Sequence, residues 1–548
     1  MSWLHHGLAK ALMGEEKWDA AIAACQRAIE LEESVSWFHF TLGEVFFKSG
    51  QWEGAIVPFR RAIELAPNFA WSYYYLGQAL VAQEEVEAAI AVYQQGLRRQ
   101  PTMAYLRSCL DYTLHLSDQD QRIQAYCLQA QADTQKRGDR PLRILMLTPY
   151  PTYPPKHGAI TRMFYEMKAL GSQHHLAIVS FVFIQSDYQL EKEIGHYCDL
   201  SITVMLGDAP PRQPQEPKLI HRYSSQRMRK ILNKLKNANF DVVLCDFIYM
   251  AQYQEIFKDT YFVLGEHNIE SQLLERCAEI KDNTELNKLA TQTEAVKAFV
   301  ESDFEAKLLA DFEDEYWQKF NLRMVVSEND RQILNDRCKV GQTIIVNNGI
   351  DTQETIMVEN TESKTILFIG TMNYFPNIDG ALYFAEKILP IVWQQDPTIS
   401  FCIAGATPPE AILDLTQDSR IQVVANPDNM SNVAKNCTLT IVPLRIGGGT
   451  RIKILHSMAM GLPVVSTSLG CEGLAIVDNV HLLIRDQPEA FATAILQLLS
   501  DQDLQKKLRL NGRQLVEQQY DWQEIFQQAE KQIVEGFRAW QQTRSRVD

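Results

Sequence analysis

The sequence predicts an all-α array of helical repeats followed by two parallel α/β lobes that face each other across a cleft. Three observations predict this. The first hundred residues repeat with a 34-residue period. From Pro141 onward, short apolar strands alternate with helical patterns, in two successive series. The second series carries a glycine-rich stretch that opens directly into a helix.

The period is carried by Trp3, Trp37 and Trp71, by Leu8, Leu42 and Leu76, and by Ala28, Ala62 and Gly96. Trp18, Trp52 and Val86 keep the same interval, and Pro67 and Pro101 close the second and third units. Units of about 3–36, 37–70 and 71–104 follow, with a capping helix to 115 (AYLRSCLDYTLHL) and a helical linker over 116–140. Three units suffice for a stacked array, since each buries its apolar face on its neighbour. Small residues such as Gly43 and Gly77 let the paired helices approach closely.

The first α/β series runs LRILMLTPY, HLAIVSFVF, DVVLCDF, YFVLGEH, LRMVVSE and TIIVNNG, each a short apolar run of the kind that sheets bury on both faces. TILFIGTM starts a second series, continued by FCIAGAT, IQVVANP, LTIVPL and PVVSTS. Two Rossmann-like lobes over 141–348 and 349–520 result, with ligands expected beyond the carboxyl ends of the strands. The amphipathic segment 521–548 reads as a helix packing back on the first lobe.

Composition narrows the function. The 548 residues are 46% hydrophobic with a net charge of -15, which excludes nonspecific nucleic-acid binding through the whole surface. Ten cysteines lie singly, with no CxxC and no zinc spacing, so a reducing compartment and no metal are expected. MSWLHHGLAK lacks the pattern of a signal peptide, and no apolar run spans a membrane. A cytoplasmic protein is expected.

The richest stretch is PLRIGGGTRIKILHSMAMGLPVVSTSLGCEGL. Gly447, Gly448 and Gly449 follow a strand, Thr450 can cap the next helix, and Gly461 with Pro463 ends it. Such a turn offers free N–H groups and the positive end of a helix dipole to a diphosphate. Arg451 and Lys453, unfavourable to that dipole, make sense as contacts to an anion.

This stretch resembles the second-lobe signature of the family-4 glycosyltransferases, in the branch reading G-G-G-T-R-x-K-I-L-E-A-M-A-x-G-x-P-V-V. The resemblance extends to GTMNYFPNIDGALYFAEKILP, VNNGID, GEHNIE and PPKHGAITR, over about 141–525. The repeats resemble tetratricopeptide repeats. The family implies a GT-B fold and transfer of a sugar from a nucleoside-diphosphate donor with retention of configuration. It implies no metal and no cofactor beyond the donor substrate. His267, Arg451 and Lys453 match its catalytic positions. Gly158, Arg162, Gly370, Asn373, Gly447, Gly448, Gly449, Thr450, His456 and Glu472 match its donor-binding ones.

His456 departs from the pattern, because the branch carries glutamate there to accept hydrogen bonds from the nucleotide ribose. An imidazole accepts one such bond at most. A glycosyltransferase acting in polysaccharide biosynthesis is therefore expected, its repeats recruiting a protein partner or a glycan, lipid-linked or protein acceptor. The alternatives are a non-catalytic scaffold with a decayed donor site and, less favoured, a sugar-nucleotide epimerase.

Two further features have ordinary readings. Asp118-Gln119-Asp120 and Asp501-Gln502-Asp503 resemble metal triplets, but read as acidic caps at helix starts. The basic amphipathic segment 218–239 reads as a solvated helix, against peripheral contact with an anionic membrane face.

Overall fold

The computed structural model describes residues 1–133, 140–155, 158–279, 303–359, 363–372, 374–446 and 452–544. The chain divides into two compact units, Met1–Gln129 and Ala130–Asp548.

The first unit holds three helix pairs: α1 (Ser2–Gly14) with α2 (Trp18–Leu31), α3 (Ser36–Lys48) with α4 (Trp52–Leu65), and α5 (Ala70–Ala82) with α6 (Val86–Arg99). Gly43 and Gly77 set the spacing. A Cβ on Gly43 would lie 2.7 Å from the Phe59 ring, and one on Gly77 2.2 Å from Tyr93. Phe59, Tyr73 and Tyr93 fill the core, whereas Trp3, Trp37 and Trp71, which mark the period, remain 56%, 44% and 39% exposed. A seventh helix, α7 (Ala104–Ala132), runs unbroken for 29 residues. This corrects one expectation: Asp118 lies inside α7 and pairs with Arg122 at 2.8 Å, so it caps nothing. Asp501 does cap its helix, accepting from the Leu504 N–H at 2.9 Å.

The second unit contains two wholly parallel sheets. The first joins β1 (Arg143–Thr148), β2 (His175–Val182), β3 (Leu200–Met205), β4 (Val242–Asp246), β5 (Tyr261–Gly265), β6 (Leu322–Val325) and β7 (Gln342–Ile345) in the order β3-β2-β1-β4-β5-β6-β7. The other joins β8 (Thr365–Ile369), β9 (Ser400–Gly405), β10 (Ile421–Ala425), β11 (Leu439–Val442), β12 (Val464–Ser466) and β13 (Leu483–Ile484) in the order β10-β9-β8-β11-β12-β13. The chain order thus reverses between β1 and β4, and again between β8 and β11. At such points the connections leave in opposite directions and open a crevice for ligands. All six residues of β1 are buried, as in a sheet covered on both faces.

The C-terminal helix Trp522–Arg544 lies on first-lobe elements. Trp522 stacks on Tyr165 at 5.6 Å, Glu530 accepts from His174 Nε2 at 2.9 Å, and Phe537 meets Tyr261. Beneath it, the Ile350 N–H donates to the Tyr520 carbonyl at 2.8 Å, so the chain crosses between the lobes twice, side by side.

The basic segment 218–239 is not one helix. It breaks into Lys218–Arg222 and Gln226–Leu235, the second capped by Ser225, which accepts from the Met228 N–H. Met228, Ile231, Leu232 and Leu235 are fully buried, so the apolar face is used by the chain's own core. Lys230, Lys234 and Lys236 are exposed, and half-buried Arg229 pairs with Glu255. Among the described residues no helix is long and apolar enough to cross a membrane.

Candidate active site between the two lobes

Of the residues singled out in the sequence, Gly158, Arg162, Gly370 and Lys453 lie on the segments that follow the strands at the two switch points. In the second lobe, β11 ends at Val442 and the helix Ile452–Ala459 follows a loop. Gly447, Gly448, Gly449, Thr450 and Arg451 lie outside the described residues, as does Asn373. Beyond the helix, Gly461 takes a φ of +72° and its N–H donates to the Met458 carbonyl at 2.9 Å, the left-handed stop the sequence implies.

Lys453 is held in place. Its ammonium donates to Asn377 Oδ1 and lies 5.0 Å above the Phe368 ring. Asn377 in turn donates to the Thr371 carbonyl at 2.8 Å, and its amide stands 2.8 Å from where a Cβ on Gly370 would be. Gly370 therefore leaves room for the side chain that orients Lys453. Asn377 was not legible as a site residue. It sits inside GTMNYFPNIDG, where nothing distinguishes it from a helix-start asparagine. Glu472 is half-buried just past the turn Leu469–Cys471 that follows β12.

His456 lies in the last turn of the same helix, half-buried. Burial pushes its pKa down to about 4, so at neutral pH the ring is uncharged. A neutral imidazole has one acceptor nitrogen, against two oxygens on a glutamate.

In the first lobe, α8 (Gly158–Gln173) starts at the cleft. A Cβ on Gly158 would lie 3.1 Å from Ile452 Cδ1, so the two lobes touch at the starts of these two helices. One turn on, Arg162 is buried and donates from Nη1 to the carbonyls of Val346 and Asn347 and to Asn348 Oδ1, at 2.8 to 3.1 Å. It grips the crossover into the second lobe. Glu166, a further turn on, is also buried.

His267 follows β5 and is 6% exposed. Its Nε2 lies 3.1 Å from Asp246 Oδ1, and its ring stacks on Phe247 at 4.0 Å. Burial, followed by the charge of Arg162, holds its pKa well below the usual histidine value. Of its acidic neighbours, Glu266 is occupied elsewhere, accepting from Trp317 Nε1 at 2.5 Å. Glu270 is buried, which together with nearby Glu313 pushes its pKa up to about 8. Asp246 escaped the sequence reading because, at the end of DVVLCDF, it looks like the polar stop of a core strand.

Two all-parallel lobes of this strand order, with a lysine-bearing helix at the second switch point, define the two-lobed GT-B fold. Residues 363–501 match the family model described as glycosyl transferases group 1. Residues 43–84 match a TPR-repeat model and 72–103 a tetratricopeptide-repeat model. The chain thus carries a group 1 glycosyltransferase region over residues 363–501 and tetratricopeptide repeats within 43–103.

It is 25% identical over 170 residues to an uncharacterized 44.6 kDa protein in the cps region of Klebsiella pneumoniae, covering 29% of this chain and 44% of that one. The chain thus spans less than half the length of this curated relative. HepE of Anabaena, solved in complex with UDP and glucose, is 12% identical with a TM-score of 0.50, over 72% of this chain and 99% of that one. A glycosyltransferase from Rickettsia africae is 16% identical with a TM-score of 0.50, over 72% and 98%. At these identities the likeness is one of fold.

Proposed function

We propose that the chain transfers a hexose from a nucleoside-diphosphate sugar to a hydroxyl acceptor, with retention of configuration and without a metal ion. The observation that carries this reading is the way α8 links the two halves of the site. Its first residue touches Ile452, the neighbour of Lys453, and its ninth reaches Asp246, which holds His267. Along the helix these points are about 12 Å apart. This reading places the phosphates of a sugar diphosphate toward Lys453 and its sugar toward His267.

Chemically, the diphosphate leaves as the glycosidic bond breaks, and its negative charge must be met as it develops. Lys453, already oriented by Asn377, meets that charge without reorganising, and this reading assigns Arg451, two residues earlier in the sequence, the same task. His267 is neutral, so it offers a hydrogen bond to a sugar hydroxyl without repelling the positive charge that grows at the anomeric carbon. The exposed Trp3, Trp37 and Trp71, one per repeat, support a role for the repeats in recruiting a protein partner or the acceptor. A glycan, a glycolipid or a protein are the acceptor classes this reading admits.

The experiment is a thermal-shift panel of UDP, GDP and ADP, followed by donor hydrolysis with the matching nucleotide sugar. Stabilisation by one nucleotide and release of its sugar are expected. If no nucleotide stabilises the chain, the scaffold reading takes its place. Inversion of the donor sugar at C2 would favour the epimerase.

A further inference from the structure

Behind His267 lies a group of charges that donor binding does not use. Asp246 ends β4 and is fully buried. Its register partner on β5 is Gly265, where a Cβ would lie 2.6 Å from Asp246 Oδ1. Glycine is needed there because the carboxylate occupies the space. Phe247, the next residue, takes a φ of +66°, a costly conformation for a side chain of that size. Its N–H donates to the Gly265 carbonyl at 2.8 Å, and its ring becomes the platform under the imidazole. His267 is thus fixed twice, in its plane by Phe247 and in its rotation by Asp246.

Glu166 meets Asp246 from the other side. Neither Glu166 oxygen, nor Asp246 Oδ2, has an N–H or hydroxyl partner among the described residues. The two buried carboxyl groups nevertheless lie close enough to perturb each other. Like charges this deeply buried do not both ionise, and a proton held by the pair would satisfy oxygens that otherwise have no donor. The charged groups against Asp246 are Arg162 and Glu166 from α8 and His267 at the end of β5, with Cys245 preceding it on the strand.

We propose that Glu166 and Asp246 share one proton, with Arg162 as counter-charge, and act as positioning residues that hold His267 in the Nε2–H tautomer. This rests on the reading of His267 as the donor-facing imidazole. Glu166 is the partner that keeps the proton. Burial and the negative charge of Asp246 push its pKa well up, while burial raises Asp246 to about 7 against the pull of Arg162 and of Glu166. Asp246 then accepts from both Glu166 and His267. Nδ1, which has no partner among the described residues, is left with its lone pair free for a substrate hydroxyl. Because Arg162 also holds the crossover at 346–348, the imidazole is tied to the segment from which the second lobe hangs.

A charge group of this kind is expensive to bury, and apolar residues of similar volume would hold the lobe together at less cost. A role in fixing a proton explains its presence. A merely structural role would be served by any side chains that pack.

The test is the ¹⁵N spectrum of the His267 ring in the full chain, assigned with H267Q, beside the pH profile of donor hydrolysis. The wild type should show a neutral ring protonated at Nε2, with hydrolysis falling on an acid limb near pH 7. Glu166→Gln, which still donates, should keep both the tautomer and the limb. Glu166→Ala should lose the single tautomer. Asp246→Asn should abolish the limb and lower turnover by about 100-fold or more, with the donor KM moved less than about threefold. If Glu166→Gln and Glu166→Ala behave alike, or His267 keeps its tautomer in Asp246→Asn, the proposal fails. Should Asp246→Asn not fold, the two Glu166 variants decide. If the tautomer responds as stated but no nucleotide sugar is turned over, the transferase reading fails and the positioning role stands.

Discussion

Gly158 and Ile452 are the contact by which the first lobe meets the helix carrying Lys453: a Cβ on Gly158 would lie 3.1 Å from Ile452 Cδ1. A single methyl meets only the free end of a flexible side chain, which can move by a few tenths of an ångström. A branched side chain has no such escape, and overpacking costs about 1–3 kcal/mol. Gly158→Ala should therefore bind UDP within about threefold of the wild type, and Gly158→Leu about tenfold or more weakly. Isothermal titration measures both. Equal affinities would mean that the lobes do not meet at this point when nucleotide is bound.

Lys453 owes its orientation to Asn377, and the two should be separable. Lys453→Met removes the cation and should weaken UDP binding by about 10- to 100-fold, the worth of a hydrogen bond to a charged group. Asn377→Leu keeps the cation but loses its guide, so its loss should be smaller and should shrink when Lys453 is already Met. A double-mutant cycle reads that coupling. Full additivity would leave Asn377 with no part in nucleotide binding.

Much of this arrangement is legible in the sequence, and the exceptions have physical reasons. Eleven strands stand out as continuous apolar runs, because a sheet buried on both faces needs them. β3 (LSITVM) hides its apolar positions among polar ones, and β13 has two residues, too few for any period to register. His267, Lys453 and Gly158 announce themselves through resemblance to a family motif. Asp246, Glu166 and Asn377 do not, since each acts through another residue brought near by folding. A lone carboxylate on an amphipathic helix, as Glu166 is in GAITRMFYEMKAL, reads as a solvated charge until α8 is seen to bury it. The basic segment 218–239 misleads in the opposite direction. Its amphipathicity is real, but the apolar side faces inward.

His456 is the sharpest position for testing the nucleotide site. On the proposed donor-site reading, one acceptor nitrogen where the family has a carboxylate forfeits a charge-assisted hydrogen bond worth roughly 1.5–3 kcal/mol. His456→Glu should tighten binding of the preferred nucleoside diphosphate by about 10- to 100-fold at pH 7.5. Unchanged or weaker binding would place the ribose elsewhere.

The same residue predicts a pH effect on stability. The ring titrates near 6.5 in the unfolded chain and near 4 when folded. Between those values the unfolded chain binds a proton that the folded chain refuses. The stability linked to His456 is therefore full above pH 6.5 and drains away as pH falls toward 4. The melting temperature of the lobes should fall less between pH 7 and pH 5 in His456→Gln than in the wild type. Identical falls would mean that the ring accepts its proton in the folded state at an ordinary pH.

The repeats can be perturbed on their own. A Cβ on Gly77 would stand 2.2 Å from Cε1 of Tyr93, a ring that is itself fully buried and has nowhere to go. Gly77→Ala must force α5 and α6 apart or push Tyr93 off its rotamer, at a cost of about 1–3 kcal/mol. Because stability in a repeat array is close to a sum of units and their interfaces, that loss should lower the melting of the helical unit. Stabilisation of the lobes by UDP should persist in the same sample. Circular dichroism at 222 nm, with and without UDP, follows both. An unchanged melt in Gly77→Ala would show that the pair packs more loosely than the ring contact implies.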